Sequence, residues 1–319
     1  MKNRLFLILA SLLVAGQGTP ATADFLVSDN FGGQVLRYSS TDGSFLGTFI
    51  SSDTNINGGL VGPVGMVLDS NGDLLVASQG SEQVPGSVLR YHGRTGEFLG
   101  VFADQGMAGP SHLGFHPTSG HLLVSNFEGD AITEFDAAGN LIGNYTTGSS
   151  LSGSASFTFD ADGNLFVGDF GGAAVKVYDQ DGVYQSNFVT DLPTPAGLVF
   201  QGDQLWVASL FANQVTRYNS DGSVDLSFST NVEGIPQNDG TFPSFILESP
   251  LGSDEILVAL TGSGGVYRFG LDGESRGVFM AGGGLLVPGQ VLQIAPIPEP
   301  GVLLPLTVAL IGLNLRRKR

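Results

Sequence analysis

The chain has 319 residues, a formal net charge of −17 at neutral pH and no cysteine. The lack of cysteine excludes disulfides and thiol chemistry. The excess of acids argues against nucleic acid and anionic lipid as partners, because like charges repel.

The N-terminus is typical of an export signal. Lys2 and Arg4 form a positive segment, residues 5–15 form a short apolar segment, and Ala21-Thr22-Ala23 supplies the small residues of a cleavage site. An apolar segment this short is typical of a signal peptide rather than a membrane span. We therefore predict a signal peptide over residues 1–23 and a mature protein that is exported to the cell surface or the extracellular space.

Residues 24–295 form a repeat. A β-branched residue, two others and an aromatic residue recur six times, at intervals typical of a propeller or solenoid. The six copies are residues 35–38, 88–91, 132–135, 175–178, 215–218 and 266–269. A short apolar run precedes each copy, and a turn with Gly followed by another apolar run comes after most of them, as in a meander of hairpins. We label the preceding run strand b, the copy itself strand c and the following run strand d.

Five of the repeats open with one further strand, a, which the first repeat lacks. These strands are predicted at residues 65–68, 112–115, 156–159, 197–200 and 245–248. Residues 287–294 resemble the missing strand, so we expect the C-terminal run to pair into the first repeat and close the ring. The sequence therefore predicts an all-β fold, a six-bladed β-propeller of four-stranded antiparallel blades over residues 24–295.

Two stretches carry a family resemblance. Residues 62–77, GPVGMVLDSNGDLLVA, and residues 29–38, DNFGGQVLRY, are similar to the blades of NHL-repeat propellers. The similarity extends over the whole body but weakens in the sixth blade, where Leu260 replaces the polar residue that closes strand b. Six-bladed propellers of this kind include binding platforms, gluconolactonases and lyases, so the resemblance implies a fold and leaves the function open.

The position that closes strand b is the candidate site. It carries Asp29, Ser78, Asn126, Asp169, Ser209 and Leu260. Carboxylate and amide oxygens near the axis of the ring suit a hard divalent cation such as Ca²⁺ or Mg²⁺. Asn126 with Asp169 resembles the channel metal site of gluconolactonases, but the glutamate that this family has in its first blade is missing. The alternative, which we favour, is that each side chain hydrogen-bonds the amides of the loop that follows it, with no cofactor.

His112 is a second candidate, as a general base or ligand near the channel mouth. No nucleophile–His–acid spacing accompanies it, so no catalytic residue is assigned. The alternative, which we favour, is a histidine at the surface or hydrogen-bonded to a loop. Arg37, Arg90, Arg217 and Arg268 share one position of strand c. They suggest an anion-binding ring or, as we favour, stacking and ion pairing between blades.

The last residues predict a sorting tail over residues 296–319. Pro298-Glu299-Pro300 precedes the hydrophobic segment 301–315, and Arg316, Arg317, Lys318 and Arg319 follow. This order resembles the PEP-CTERM signal of Gram-negative bacteria, which implies a short hydrophobic helix, transient membrane anchorage and processing by an exosortase. A bilayer span needs about 20 apolar residues and this segment is shorter. An ordinary C-terminal membrane anchor is the alternative.

Together these features favour an exported, non-catalytic binding or scaffold module with an extracellular polysaccharide or protein partner. The alternative is a metal-dependent hydrolase or lyase of the gluconolactonase kind. We expect ligands to contact the loops around the channel mouth, with the insertions 79–86 and 231–242 among them.

Overall fold

A computed structural model describes residues 23–56, 58–231, 241–249 and 254–295. Six four-stranded antiparallel sheets form a closed ring, which confirms the predicted six-bladed propeller. All regular secondary structure in the described residues is β-strand. The predicted signal peptide up to Thr22, the sorting tail and most of the insertion 231–242 lie outside these ranges.

The strands follow the chain from blade 1 to blade 6. Blade 1 contains β1 (Asp24–Asp29), β2 (Gln34–Ser39), β3 (Phe45–Ile50) and, from the far end of the chain, β24 (Pro288–Ile294). Blade 2 contains β4 (Pro63–Leu68), β5 (Leu74–Ser78), β6 (Ser87–Tyr91) and β7 (Phe98–Ala103). Blade 3 contains β8 (Pro110–Phe115), β9 (Leu122–Asn126), β10 (Thr133–Phe135) and β11 (Leu141–Asn144).

The other three blades repeat this plan. Blade 4 contains β12 (Ser154–Phe159), β13 (Leu165–Asp169), β14 (Ala174–Tyr178) and β15 (Tyr184–Val189). Blade 5 contains β16 (Pro195–Gln201), β17 (Gln204–Ser209), β18 (Gln214–Tyr218) and β19 (Val224–Ser229). Blade 6 contains β20 (Pro243–Glu248), β21 (Glu255–Leu260), β22 (Gly265–Gly270) and β23 (Ser275–Ala281). In each blade the sheet order is a-b-c-d.

Ring closure occurs in blade 1. Strand β24 pairs antiparallel with β1, from Asp24 opposite Ile294 to Asp29 opposite Pro288. This confirms that the C-terminal run supplies the strand that the first repeat lacks. Pairing the two ends of the chain in one sheet leaves no open blade edge at the junction.

Strands a begin earlier than the sequence predicted. The structure starts β4 at Pro63 and β20 at Pro243, where the hydrophobic pattern placed the starts at Gly65 and Phe245. The reason is a register shift after the first residue, for example between Pro63 and Met66 against β5. Such a bulge breaks the period-two alternation by which a strand is recognised.

The core lies between the blades. Strands b are buried along their whole length in β1, β5, β9 and β13, as expected for strands covered on both faces. The recurring aromatic of strand c is buried in every blade; these residues are Tyr38, Tyr91, Phe135, Tyr178, Tyr218 and Phe269. Each of these rings adds a large apolar area to a cluster between two blades. Phe269, for instance, packs in one cluster with Trp206 and Ile246.

The arginines of strand c have structural partners. Arg37 pairs with Asp24 at 2.6 Å and Arg90 with Asp69 at 3.0 Å. The guanidinium of Arg217 lies 4.9 Å from the ring centroid of Trp206. Stacking and ion pairing are thus confirmed, but these partners lie in the arginine's own blade, where we predicted neighbouring blades. The reason is that strand c runs beside strand b, which places the acid and the aromatic within one sheet. Arg217 also makes one contact between blades, since it donates a hydrogen bond to the Leu271 carbonyl of blade 6 at 3.1 Å.

The antiparallel order separates two faces of the ring. The b–c loops and the loops that join strand d of one blade to strand a of the next lie at one end of the strands, and we call this end the b–c face. The a–b and c–d turns lie at the other end, which we call the a–b face. Asp160 and Asp179 are in these turns and accept hydrogen bonds from amides of their own turn.

Candidate functional site

The polar side chains that close strand b bind the backbone of the loop that precedes strand a. In each case the donor is the amide two residues before that strand. The pairs are Asp29 Oδ1 with Leu286 N at 3.2 Å, Ser78 Oγ with Val61 N at 3.0 Å, Asn126 Oδ1 with Ala108 N at 3.0 Å, and Asp169 Oδ1 with Ser152 N at 2.6 Å. These residues therefore fix the b–c face, but through the loop that precedes strand a, where the sequence interpretation placed the bonds in the loop that follows strand b.

The remaining polar atoms of this set bind strand c. The Asp29 carboxylate accepts a hydrogen bond from Gln34, and the Asn126 amide donates to Thr133. Asp169 forms an ion pair with Lys176. An acid that faces a cation, or an amide that faces a hydroxyl, satisfies a buried polar group without an added ligand.

No additional side chain of the described ranges joins Asp29, Asn126 and Asp169 to form a metal site. Asp29, Asn126 and Asp169 occupy equivalent points of blades 1, 3 and 4, each bonded within its own blade. Among the described residues, no group of three or more His, Asp or Glu side chains is placed to hold a metal ion.

Blade 5 lacks this loop contact. The hydroxyl of Ser209 is fully buried and has no hydrogen-bond partner within the described residues. The position two residues before strand β16 is Pro193, and proline has no N–H to donate. A second buried acceptor, Oδ1 of Asn213 in the b–c loop of this blade, also has no hydrogen-bond partner among the described residues. The b–c face is therefore least well satisfied at blade 5.

His112 lies inside the ring of strands a. Its ring centroid is 4.9 Å from that of Phe157 in the next blade and 6.3 Å from that of Phe245 in blade 6, on the opposite side of the ring. Aromatic side chains therefore meet across the axis at this level. Burial lowers the pKa of His112 to about 4, which keeps the imidazole neutral at physiological pH. Neither ring nitrogen hydrogen-bonds another described residue.

His116 is a structural residue. Its Nδ1 accepts hydrogen bonds from the amides of Thr118 and Ser119, and its Nε2 lies 3.0 Å from the hydroxyl of Tyr145. Two amide donors on Nδ1 require the neutral tautomer that carries its proton on Nε2. Its ring therefore closes a turn on the a–b face and is not available as a base.

An arc of phenylalanines crosses the b–c face. Ring centroids are 5.0 Å apart for Phe127 and Phe170, 5.9 Å for Phe170 and Phe211, and 5.6 Å for Phe211 and Phe242. These four residues, which we call the Phe arc, come from blades 3, 4, 5 and 6. Phe211 is 61% exposed, and Phe31 of blade 1, which stands at the same loop position, is 78% exposed. Apolar rings this open to water are a feature of binding surfaces.

Sequence reasoning did not find the Phe arc. The signal was present, because an aromatic residue follows strand b by one or two positions in four repeats; the residues are Phe31, Phe127, Phe170 and Phe211. Because the aromatic residue comes one position after strand b in some repeats and two in others, aligning the repeats by position does not reveal it.

The loop that supports Phe211 is strained. Thr194 has φ of 47°, although Gly62, Gly109 and Gly153 occupy the same position in blades 2, 3 and 4, with positive φ. A β-branched residue is disfavoured in this left-handed region. The Thr194 hydroxyl accepts a hydrogen bond from the Phe211 amide at 3.0 Å. Blade 5 thus holds the exposed ring on a rigid and strained loop, as functional loops often are.

Comparison with known proteins identifies the fold. Neither a protein-family model nor a curated protein matches the sequence. A chain in the crystal structure of a nidogen–laminin complex superposes with a TM-score of 0.67 at 13% identity, over 86% of this chain and 99% of that one. A protein of unknown function from Bacteroides caccae gives a TM-score of 0.62 at 13% identity, over 86% of this chain and 99% of its own.

Virginiamycin B lyase from Staphylococcus aureus, in a catalytically inactive form with quinupristin, gives a TM-score of 0.59 at 13% identity, over 87% of this chain and 93% of that one. Identities this low show a shared architecture and nothing finer. The chain is a six-bladed β-propeller, similar in shape to propellers in a protein complex and in a lyase.

The export and sorting signals are outside what the structure tests. Ala21, Pro298, Glu299, Pro300 and the terminal cations lie beyond the described residues. Within the described residues, the structure has no helix with the length and apolarity needed to cross a membrane.

Proposed function

We propose that the protein is an exported, non-catalytic binding module that takes its ligand on the b–c face. One observation carries the proposal. In blade 1 the polar residue that closes strand b, Asp29, holds the loop, while Phe31 beside it faces solvent. Phe211 of blade 5 stands at the same loop position and also faces solvent. The loops are built to present apolar rings rather than reactive groups.

The physical basis for binding is a rigid apolar surface. Every loop of the b–c face is held by a hydrogen bond from the residue after strand b to the carbonyl of the residue before strand a, for example Phe170 N to Gly153 O at 2.9 Å. Rigid loops lose little entropy on binding. Covering one exposed aromatic side chain contributes about 1.5–3 kcal/mol. A similar propeller in a nidogen–laminin complex supports a role in partner binding.

The test is retention of material that the host exports. Immobilised mature protein should retain a polymer or protein from the culture medium, and Phe211→Ser should lower this retention by about 10-fold, the equivalent of about 1.4 kcal/mol. Leu99→Ser is a matched control, because Leu99 is a similarly exposed apolar residue on the outer strand β7. Equal retention by Phe211→Ser and the wild type would reject the b–c face as the binding site.

The second candidate is a metal-dependent hydrolase or lyase. The observations that favour it are the likeness to virginiamycin B lyase and a neutral imidazole, His112, within the ring. Divalent-metal-dependent turnover of a cyclic peptide or lactone, lost in His112→Gln with the fold intact, would support it. Turnover unchanged by His112→Gln and by chelation would argue against it.

Export and processing belong to the same proposal. The signal peptide and the tail are proposed to carry the propeller out of the cytoplasm and hold it briefly in the membrane until an exosortase cleaves near Pro300. Mass spectrometry of the mature protein from its host should find the N-terminus at Asp24 and no residues from Arg316 to Arg319. An intact tail would instead favour a permanent C-terminal anchor.

A further inference from the structure

The charged residues of the propeller are segregated between its two faces. In the described residues, the loops of the b–c face contain six exposed acids and no lysine, arginine or histidine. The acids are Asp53, Glu82, Asp104, Glu128, Asp130 and Asp191. The seven lysines and arginines of residues 24–295 all lie in strands c, strands d or c–d turns.

The exposed acids of the b–c face form no ion pair with a cation of the described residues. The ion pairs formed among the described residues use other acids, such as Asp24, Asp69 and Asp169. Lys176, the cation nearest this face in sequence, is 14% exposed and is already paired. The b–c face therefore has an unbalanced negative field, which attracts a positively charged partner and repels a negatively charged one.

Aromatic rings and acids are combined at one point of this face. An open hollow of about 580 Å³ between blades 3 and 4 is lined by Phe127, Glu128, Asp130 and Leu151, with Ser152 and Gly153 beside them. The Phe127 ring continues into the Phe arc through Phe170. A lysine or arginine side chain needs an apolar surface for its aliphatic stem and an opposite charge for its head group. This hollow offers both, since the stem can lie on phenylalanine while the charge faces carboxylates.

We propose that the ligand of the b–c face is a positively charged polypeptide segment that alternates basic and apolar side chains. The basic side chains occupy the hollow beside Glu128 and Asp130, and the apolar ones cover Phe170 and Phe211. This inference rests on the proposed function, since it names the class of ligand for the same face. An anionic polysaccharide is disfavoured by the field, and a neutral glycan gains nothing from the six acids.

The test uses a defined probe. A short labelled peptide that alternates lysine with phenylalanine is titrated with the mature protein, alongside the same peptide with glutamate in place of lysine and alongside neutral dextran. The lysine peptide should bind, and its affinity should fall about 10-fold when salt is raised from about 0.05 M to 0.5 M, because exposed charges are screened. The glutamate peptide and dextran should not bind.

Substitutions locate the site. Glu128→Gln with Asp130→Asn should lower the affinity for the lysine peptide about 5-fold, and Phe211→Ser about 10-fold. Asp162→Asn with Asp181→Asn is the matched control, since both are exposed acids on the a–b face, and it should leave the affinity unchanged. Circular dichroism confirms that each variant is folded.

The outcomes separate the two proposals. Dextran binding that is lost in Phe211→Ser and is insensitive to salt would overturn the charged-peptide inference while supporting a binding face. Equal binding of the lysine and glutamate peptides, or an equal loss in the a–b face control, would also overturn it. Failure of the proposed function itself is read independently, from the retention of exported host material.

Discussion

The ammonium group of Lys176 lies 2.8 Å from the carboxylate of Asp169, with side chains that are 14% and 2% exposed. Lys176 also donates to the carbonyl of Ser150 at 2.5 Å. In blade 3 the equivalent pair is neutral, since Asn126 donates to Thr133 at 2.8 Å. The same position of the repeat thus accepts either a buried ion pair or a neutral hydrogen-bonded pair.

Removing only one charge should be costly. Lys176→Met leaves the Asp169 carboxylate buried without its cation, and we expect a loss of about 3 kcal/mol in the free energy of unfolding. The double variant Asp169→Asn with Lys176→Thr copies the pair of blade 3 and should recover at least half of that loss. Urea unfolding measures both. A double variant no more stable than Lys176→Met would show that the two blades are not equivalent here.

Ala173 stands at a left-handed position of the b–c loop of blade 4, with φ of 51°. Blades 1 and 6 have Gly33 and Gly264 at the same position. Since a side chain in this region costs about 1–2 kcal/mol and glycine avoids that cost, Ala173→Gly should raise the free energy of unfolding by about 0.5–1 kcal/mol.

The neighbouring residue provides the control for this substitution. Ala174 begins strand β14, is buried and lies outside the left-handed region. Ala174→Gly should therefore lower stability by about 0.5–1 kcal/mol. Changes of the same sign in the two variants would contradict the role assigned to the backbone.

The imidazole of His112, half-buried among aromatic rings, should make stability depend on pH. Its folded pKa of about 4 lies below its ordinary value of 6.5, so between these pH values the unfolded chain binds a proton that the folded chain does not. The stabilisation is fully present above about pH 6.5 and is lost as the pH falls to about 4. We expect wild type to lose about 2 kcal/mol more than His112→Gln over this range.

Thermal or urea unfolding at several pH values measures this difference. Other acids titrate in the same range, but they are common to wild type and variant and cancel in the comparison. His112→Leu should behave like His112→Gln. A wild-type minus variant difference that is constant from pH 7 to pH 4 would rule out a half-buried neutral imidazole.

Closure of the ring depends on the buried side chains of β24. Val291 is buried in the cluster that contains Phe25 and Val27, whereas Gln293 on the same strand is exposed. Val291→Asp places an unpaired charge in that cluster and should lower the free energy of unfolding by about 3 kcal/mol or more. Gln293→Asp should change it by less than about 0.5 kcal/mol. If Val291→Asp were as mild as Gln293→Asp, β24 would not be closing the ring.

The fold was predictable because its signals are local. Each copy of strand c places a β-branched residue and an aromatic at fixed spacing, and the missing strand of the first repeat identified residues 287–294 as its replacement. The bulge at the start of strands a was not predictable, since it removes the alternation that marks a strand. The contact between His112 and Phe245 was not predictable either, because the two residues are far apart in sequence and meet only across the axis of the ring.

The candidate site was predictable in part. The polar residues that close strand b were identified, but Asp29, Asn126 and Asp169 accept hydrogen bonds from the loop that precedes strand a, where the sequence interpretation placed them in the loop that follows strand b. The Phe arc was missed because the phenylalanines that follow strand b do so by one residue in some blades and by two in others. The packing of consecutive blades brings Phe170 beside Phe211.

The pairing of β1 with β24 also places the two ends of the propeller domain at the same face. Asp24 and Ile294 are opposite each other at the a–b end of blade 1, so both chain ends leave from the a–b face. If the proposed tail holds the protein at a bilayer, the attachment point is on the a–b face and the Phe arc is at the opposite end of the strands. On the proposed function, tethering and ligand binding would then use opposite faces, and a bulky partner could dock without passing between the protein and the membrane.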